Sequence, residues 1–389
     1  MGAGDGSGGA LRARYPGSRR TILPLMRIEG ATLARDRWSG TGPDAVAAGP
    51  PSVMIGALRL RTPIFVAPMA GITDRPFRAL ARELGAGLTC TEMIAAAAVV
   101  RSPEAATALL DLAPDEHPVA AQLVGNDPAT MAEAAQICVA RGADVVDVNL
   151  GCPVSKVVRL GSGAALARDL HRTAEILGAM VAAVPVPVTA KMRLGWDDRH
   201  HNAPELARAL EDVGVAAVTV HGRTRCQGYR GEADWAAIAR VKAAVRAIPV
   251  LGSGDVRDSD VVARRIALGD VDGVVIARGL LGDWHFLSHT VSRLTWGVTP
   301  PAPTFPERLA LARRHWHLLV DHHGERLGVR RCRKFVTWAI KGCAGAARLR
   351  QMVAEVNTRD DLDRMYELAL LAGEGPQGWH RPVFTSGEG

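Results

Sequence analysis

Cysteine is scarce in this chain and poorly spaced for structural chemistry. Six occur among 389 residues, at 90, 138, 152, 226, 332 and 343, and none forms a Cys-x-x-Cys pair. That spacing argues against structural zinc and against a thioredoxin-like redox pair, so no metal ligand set is expected. Six thiols are also too few to staple a chain this long. No apolar run approaches the roughly 18 residues a membrane span needs, so no membrane partner is expected. The first fifty residues are rich in Gly, Ala and Arg and lack the apolar stretch of a signal peptide. Residues 1–52 are expected to form a poorly ordered leader, and reduced thiols in the cytoplasm are the corresponding expectation. Missing too is the Gly-x-Gly-x-x-Gly turn that a dinucleotide-binding open sheet would place after its first strand.

What is present is a regular alternation of short β-rich runs with longer amphipathic segments. The runs are Ile64–Ala67, Leu88–Thr91, Val119–Leu123, Val145–Asn149, Val188–Lys191, Ala217–His221, Val250–Gly252 and Gly273–Ala277. Eight such units predict an α/β fold, a (β/α)8 TIM barrel over residues 53–298. Gln122, Asn149, Lys191 and His221 stand at or beside the C-terminal ends of their strands. In a barrel those ends converge on one mouth, where active sites are built.

Just past the fourth run, Asn149-Leu150-Gly151-Cys152-Pro153 puts a lone thiol on a Gly/Pro-bounded loop. A cysteine there can serve as proton donor, nucleophile or metal ligand. Gly252-Ser253-Gly254-Asp255 follows the seventh run and Ala277-Arg278-Gly279 the eighth. Loops in those two places commonly bind phosphate through backbone N–H groups, and Arg278 adds a planar cationic fork. A ligand anchored there would lie across the mouth toward Gln122, Lys191 and His221. Lys191 would set a cation where a reduced cofactor gathers negative charge. FMN fits that description, with NADPH or NADH visiting the flavin face.

Seven motifs then follow in order. They are Ala67-Pro68-Met69-Ala70-Gly71-Ile72-Thr73-Asp74-Arg75-Pro76-Phe77-Arg78, Thr91-Glu92-Met93, Gln122-Leu123-Val124-Gly125, Asn149 to Pro153, Lys191-Met192-Arg193, His221-Gly222-Arg223-Thr224 and Gly228-Tyr229. Together they resemble the bacterial tRNA-dihydrouridine synthases, over about residues 60–290 and more loosely to 345. The resemblance implies FMN held by Pro68, Met69, Ala70, Gln122, Lys191, His221 and the phosphate loops, Ser253, Gly254, Asp255, Ala277 and Arg278. It implies Cys152 as the catalytic acid, protonating uracil C5 after hydride reaches C6. A free thiol titrates near about 8.5, which suits a proton donor at neutral pH. It further implies that Asn149, Arg193 and Arg223 meet the substrate. Two positions depart from the family pattern: Ser253 replaces the usual Asn, and Ala277 the usual Gly.

Beyond Pro300-Pro301 the strand pattern stops, and residues 302–373 predict a helical domain followed by a tail, 374–389. Arg308 to Arg350 holds eleven Lys/Arg against two acids, Asp321 and Glu325. Basic helices with interleaved aromatics suit a phosphate backbone and unstacked bases. In the resembling family this region binds tRNA through an Arg-Lys-His motif. Here Arg333-Lys334 match while Phe335 replaces the histidine. The expected partner is therefore tRNA, with the protein a monomer. A reductase of a free pyrimidine would not need the basic helices, and a tRNA-binding protein without catalysis would not need Asn149, Cys152, Lys191 and His221.

Overall fold

Eight parallel strands close into a ring in the computed structural model, which describes residues 52–376. The expected leader up to residue 51 and the expected tail from 377 lie outside the described residues. A short antiparallel hairpin, β1 (Val53–Ile55) and β2 (Leu58–Leu60), comes first. The ring then runs β3 (Ile64–Val66), β4 (Thr89–Ala95), β5 (Val119–Val124), β6 (Val145–Leu150), β7 (Val188–Arg193), β8 (Ala217–His221), β9 (Val250–Ser253) and β10 (Gly273–Ile276). Sheet order is β3-β10-β9-β8-β7-β6-β5-β4, and a parallel bridge between Phe65 and Leu88 closes it. This is the (β/α)8 barrel that the alternation predicts.

The barrel interior is filled at its lower end by Phe65, Leu88, Cys90, Ala120, Val145, Ala217, Leu251 and Val275, together with Val53, Ile55 and Leu60 of the hairpin. The hairpin thus plugs the end opposite the mouth. Its turn residue Gly56 sits against Pro187 and Ala216, just before β7 and β8. The hairpin is absent from the sequence-based expectation, because two three-residue strands carry almost no periodic signal. The strand expected to end at Thr91 instead runs to Ala95. Its pairing register shifts between Cys90 and Met93, and such an irregularity disguises the alternation that marks a strand.

The barrel helices begin where strands end, so their N-termini ring the mouth. Asp74, Asp127, Asp169, Asp234 and Asp258 cap five of them, each accepting a bond from an N–H of the first turn. After β10 the chain enters the helix His285–Trp296 and then the helices Phe305–His323, Glu325–Ala339, Ala346–Met352 and Arg359–Ala372. Thr304 and Glu307 form a capping box at the start of Phe305–His323. No described helix is long and apolar enough to cross a membrane.

These helices and the barrel share one apolar core. At the junction, Phe77 packs on Trp284 with ring centroids 4.5 Å apart, and His315 meets Phe335 edge-on at 4.5 Å. Phe335, which replaces the histidine of the resembling family, is therefore a buried packing residue here.

Candidate active site at the barrel mouth

Asn149 is the next-to-last residue of β6, and its side chain shapes the loop that carries Cys152. Its Oδ1 accepts from the backbone N–H of Gly151 at 3.2 Å and of Cys152 at 2.8 Å. The amide folds the loop back over the strand end and holds the half-buried thiol at the mouth. Gly163 backs this turn: a Cβ there would stand 3.0 Å from Cys152 O and 3.2 Å from Cys152 Cβ, and its φ is +61°.

Below the loop lies a polar layer that only the folded barrel reveals. Asn149 Nδ2 donates to Gln122 Oε1 at 2.9 Å, and Gln122 Nε2 to Asp147 Oδ2 at 2.7 Å. Thr189 Oγ1 donates to Asp147 Oδ1 at 2.6 Å. Burial pushes the Asp147 carboxyl upward, while Gln122, Thr189 and Lys191 pull it back. Asp147 and Thr189 look apolar by position, inside β-branched runs, and strand register alone pairs them.

Lys191, His221, Arg193 and Arg278 are all pushed toward losing their protons. Burial and the nearby Arg193 hold Lys191 down at about 8, against the opposing pull of Asp147. Burial lowers the His221 imidazole well below its ordinary value, reinforced by Arg193, Lys191, Arg223 and Arg278. Arg193 and Arg278 are lowered as well, chiefly by burial. Such a site holds more positive charge than its own acids neutralise, which favours an anionic occupant.

Arg193 and Arg223 have an occupation beyond the one expected of them. Arg193 Nε donates to Gly151 O at 2.8 Å, and its Nη1 to Thr224 O at 3.0 Å and Gly228 O at 2.8 Å. Arg223 is buried, bonding Arg230 O at 3.1 Å, Gly231 O at 2.6 Å and Asp255 Oδ2 at 2.7 Å. Both guanidiniums tie the mouth loops together, a role invisible without the fold. Tyr229 lies on the rim with Arg278 4.2 Å and Arg193 5.6 Å from its ring centroid. Trp196 braces the same rim between Arg168 and Arg225, each 4.6 Å away.

The loop after β9 turns on left-handed backbone, with φ of +113° at Gly254 and +52° at Asp255. A Cβ at Gly254 would lie 2.7 Å from Ala233 Cβ and 2.9 Å from His221 Cδ2. Asp255 Oδ2 also accepts from Ala233 N at 2.9 Å. Ser253 ends β9 and is buried, beside His221 in the pairing register. Ala277 and Arg278 lead out of β10 into a turn of 3-10 helix.

Across the mouth, Pro68, Met69 and Ala70 leave β3 in a turn pinned at its base. Ala67 N reaches Ile276 O at 2.9 Å, and Thr73 Oγ1 and the carbonyl of Met69 close the turn. Glu92 accepts from Gly71 N, and Lys334, from the helical region, donates to Gly71 O. The buried pair Arg78–Glu116 holds the other side, with Arg78 Nη1 on Thr73 O at 2.9 Å.

The structure therefore brings Cys152, Asn149, Gln122, Lys191 and His221 to one mouth and closes the Pro68–Ala70 turn over it. Of the residues expected to meet tRNA, the two in the helical region, Arg333 and Lys334, are engaged within the chain. Lys334 reaches the barrel, and Arg333 donates to Val356 O at 3.1 Å and 3.0 Å and to Asn357 Oδ1 at 3.0 Å. The exposed cations of the helical region are Arg326, Arg330, Arg348, Arg350 and Arg364. Arg326 and Arg330 line a cleft of about 300 Å³ with Glu325, Val329, Arg333 and Asn357.

A family model described as dihydrouridine synthase matches residues 65–372. A probable tRNA-dihydrouridine synthase of Rickettsia bellii (strain RML369-C) is 41% identical over 306 residues, covering 78% of this chain and 94% of the relative. One from Mycobacterium tuberculosis (strain ATCC 25618 / H37Rv) is 40% identical over 324 residues, covering 80% and 83%. A tRNA-dihydrouridine synthase B of Xanthomonas campestris is 38% identical over 327 residues, covering 83% and 98%. Among solved structures, a morphinone reductase mutant in complex with tetrahydroNAD aligns at a TM-score of 0.47 and 12% identity, covering 62% of this chain and 90% of that one.

Proposed function

Since the chain belongs to the dihydrouridine synthase family, we propose that it reduces the C5–C6 double bond of uridines in tRNA with NADPH or NADH, through FMN bound at the barrel mouth. The observation that carries the site assignment is the Cys152 loop, folded by Asn149 over an electropositive mouth.

The residues present fit FMN in charge, with Lys191, Arg193, Arg223 and Arg278 grouped at the mouth. Gly254 keeps the backbone bare where a methyl group would collide with His221, so the loop offers a close approach for a phosphate. Arg278 and the loops at Ser253–Asp255 and Ala277 would receive that phosphate. Lys191, His221 and Gln122 would hold the ring system together with Pro68, Met69 and Ala70. When bound, FMN supplies the hydride that uracil C6 requires.

The chain's own residues then do three things. Lys191 and the neighbouring guanidiniums stabilise negative charge without waiting for solvent to reorganise. Asn149 holds the loop and has one Nδ2 hydrogen left for the base, while Arg193 fixes the loop from the other side. Cys152 delivers the proton to C5. The base must leave its stack to reach this depth, at a few kcal/mol. A uridine in a tRNA loop, already partly unstacked, needs less.

The test is to incubate the FMN-loaded protein with NADPH and unmodified tRNA and to analyse the nucleosides by mass. A uridine that gains two hydrogens is expected, and none on any tRNA would sink the assignment. Cys152→Ala should keep FMN and its reduction by NADPH while uridine turnover falls by roughly 100-fold or more. Normal turnover in that variant would remove Cys152 as the acid.

A further inference from the structure

Gln122 and Asn149 are carboxamides, and either could present its oxygen or its NH2 to a neighbour with almost no change of shape. In this barrel the choice is forced from both ends. At the loop end Asn149 faces the N–H groups of Gly151 and Cys152, which only donate. Its oxygen must point there, and its NH2 must point to Gln122. At the other end each oxygen of Asp147 accepts one bond, from Gln122 Nε2 at 2.7 Å and from Thr189 Oγ1 at 2.6 Å. One arrangement of the two amides satisfies both ends. Turning Gln122 over would set two NH2 groups face to face and put a carbonyl oxygen against a carboxylate.

We propose that Asp147 is a positioning residue for the catalytic loop: through Gln122 and Asn149, its carboxylate sets the orientation of the backbone that carries Cys152. A buried carboxylate destabilises a barrel core unless its oxygens are met by donors, and here they are. Hydrogen-bond donors in such chains reinforce one another where water is excluded. Breaking the chain at its buried end therefore loosens the loop at its exposed end.

The activity arm of the test rests on the proposed uridine reduction; the exchange arm does not. In the protein without FMN, amide hydrogen exchange is followed in a peptide spanning 149–153 and in a distant one from Phe305–His323. Asp147→Leu, close in shape and unable to accept, should speed exchange at 149–153 at least tenfold and leave the distant peptide unchanged. Uridine turnover by the FMN-loaded variant should fall at least tenfold. The double variant Gln122→Glu, Asp147→Asn rebuilds the chain with the carboxylate moved one position. The amide introduced at position 147 then donates to the carboxylate introduced at position 122, which accepts from Asn149 in turn. This variant should restore slow exchange at 149–153.

Unchanged exchange at 149–153 in Asp147→Leu overturns the proposal. So does faster exchange throughout the protein, which would make Asp147 a general structural residue. Failure of the double variant to restore protection overturns it as well. If slow exchange returns while no tRNA is reduced by the wild type, the positioning role stands and the proposed function falls.

Discussion

Lys191 carries its ammonium where burial and the neighbouring Arg193 both disfavour charge, which holds its pKa at about 8 rather than 10.5. Between those values the unfolded chain binds a proton that the folded one releases, so folding stability rises with pH across that window. Below about 8 the whole penalty is present. Lys191→Met should therefore stabilise the FMN-free protein at pH 7, by on the order of 2 kcal/mol after allowing for partial exposure. The gain should fade as pH rises from about 8 to the ordinary lysine value, and FMN affinity should drop. Thermal melting of both proteins from pH 7 to 11, with an FMN titration, checks this. An FMN-free variant that melts no higher than wild type at pH 7 would show that the charge is not penalised. The type and place of Lys191 are readable from sequence, because it interrupts an apolar strand near its end. Its strained charge is not, since that depends on Arg193 and Asp147 arriving beside it. Nor is the ion pair of Arg223 readable, since its partner Asp255 is far away in sequence and adjacent only once β8 and β9 pair.

Each barrel strand leads into a loop, and the loop after β9 is tightly constrained. Gly254 and Asp255 both lie at positive φ, and Gly254 also abuts Ala233 and His221. Gly254→Ala combines left-handed strain with a collision against two neighbours, for a cost of about 2–3 kcal/mol. FMN affinity should fall at least tenfold, because the methyl group displaces His221. Gly269 is the control: its φ is +73°, but nothing lies within 4 Å of an added Cβ. Gly269→Ala should cost about 1 kcal/mol and leave FMN affinity alone. Equal FMN affinity in the two variants, read by fluorescence titration, would contradict the close-approach argument. The eight barrel strands are legible in sequence because buried parallel strands read as continuous apolar, β-branched runs. The β1–β2 hairpin and the extension of β4 are not, since short or irregular strands lose the periodicity that identifies them.

At the scale of the whole chain, the helical region is joined to the barrel more tightly than its change of composition suggests. Asp74 caps a barrel helix and also accepts from His323 at 2.9 Å and Arg331 at 3.0 Å. Beside it, His322 pairs with Asp111 at 2.6 Å, and Arg314 with Glu83. Phe77, Trp284, His315 and Phe335 fill the space between. His315, held down at about 4 by burial, stays neutral there at physiological pH. Sequence shows where strands stop and basic helices start, but not that the two parts share a core. Removing residues 302–389 would expose Phe77 and Trp284, so the remaining barrel should aggregate rather than survive as a free flavoprotein. Substitution at the surface separates RNA binding from folding more cleanly. Among the described residues, no ion pair engages Arg326, Arg330, Arg348 or Arg350, whereas Arg333 and Lys334 hold the protein to itself. Arg326→Glu with Arg330→Glu should weaken tRNA binding and flatten its dependence on salt by about one unit of log–log slope for each phosphate no longer neutralised. Melting should be unaffected, while Lys334→Ala, which frees Gly71, should change FMN affinity more than the salt slope. Binding titrations at several salt concentrations decide between them. A steep slope kept by the double variant and lost in Lys334→Ala would return RNA binding to the motif and away from the exposed face.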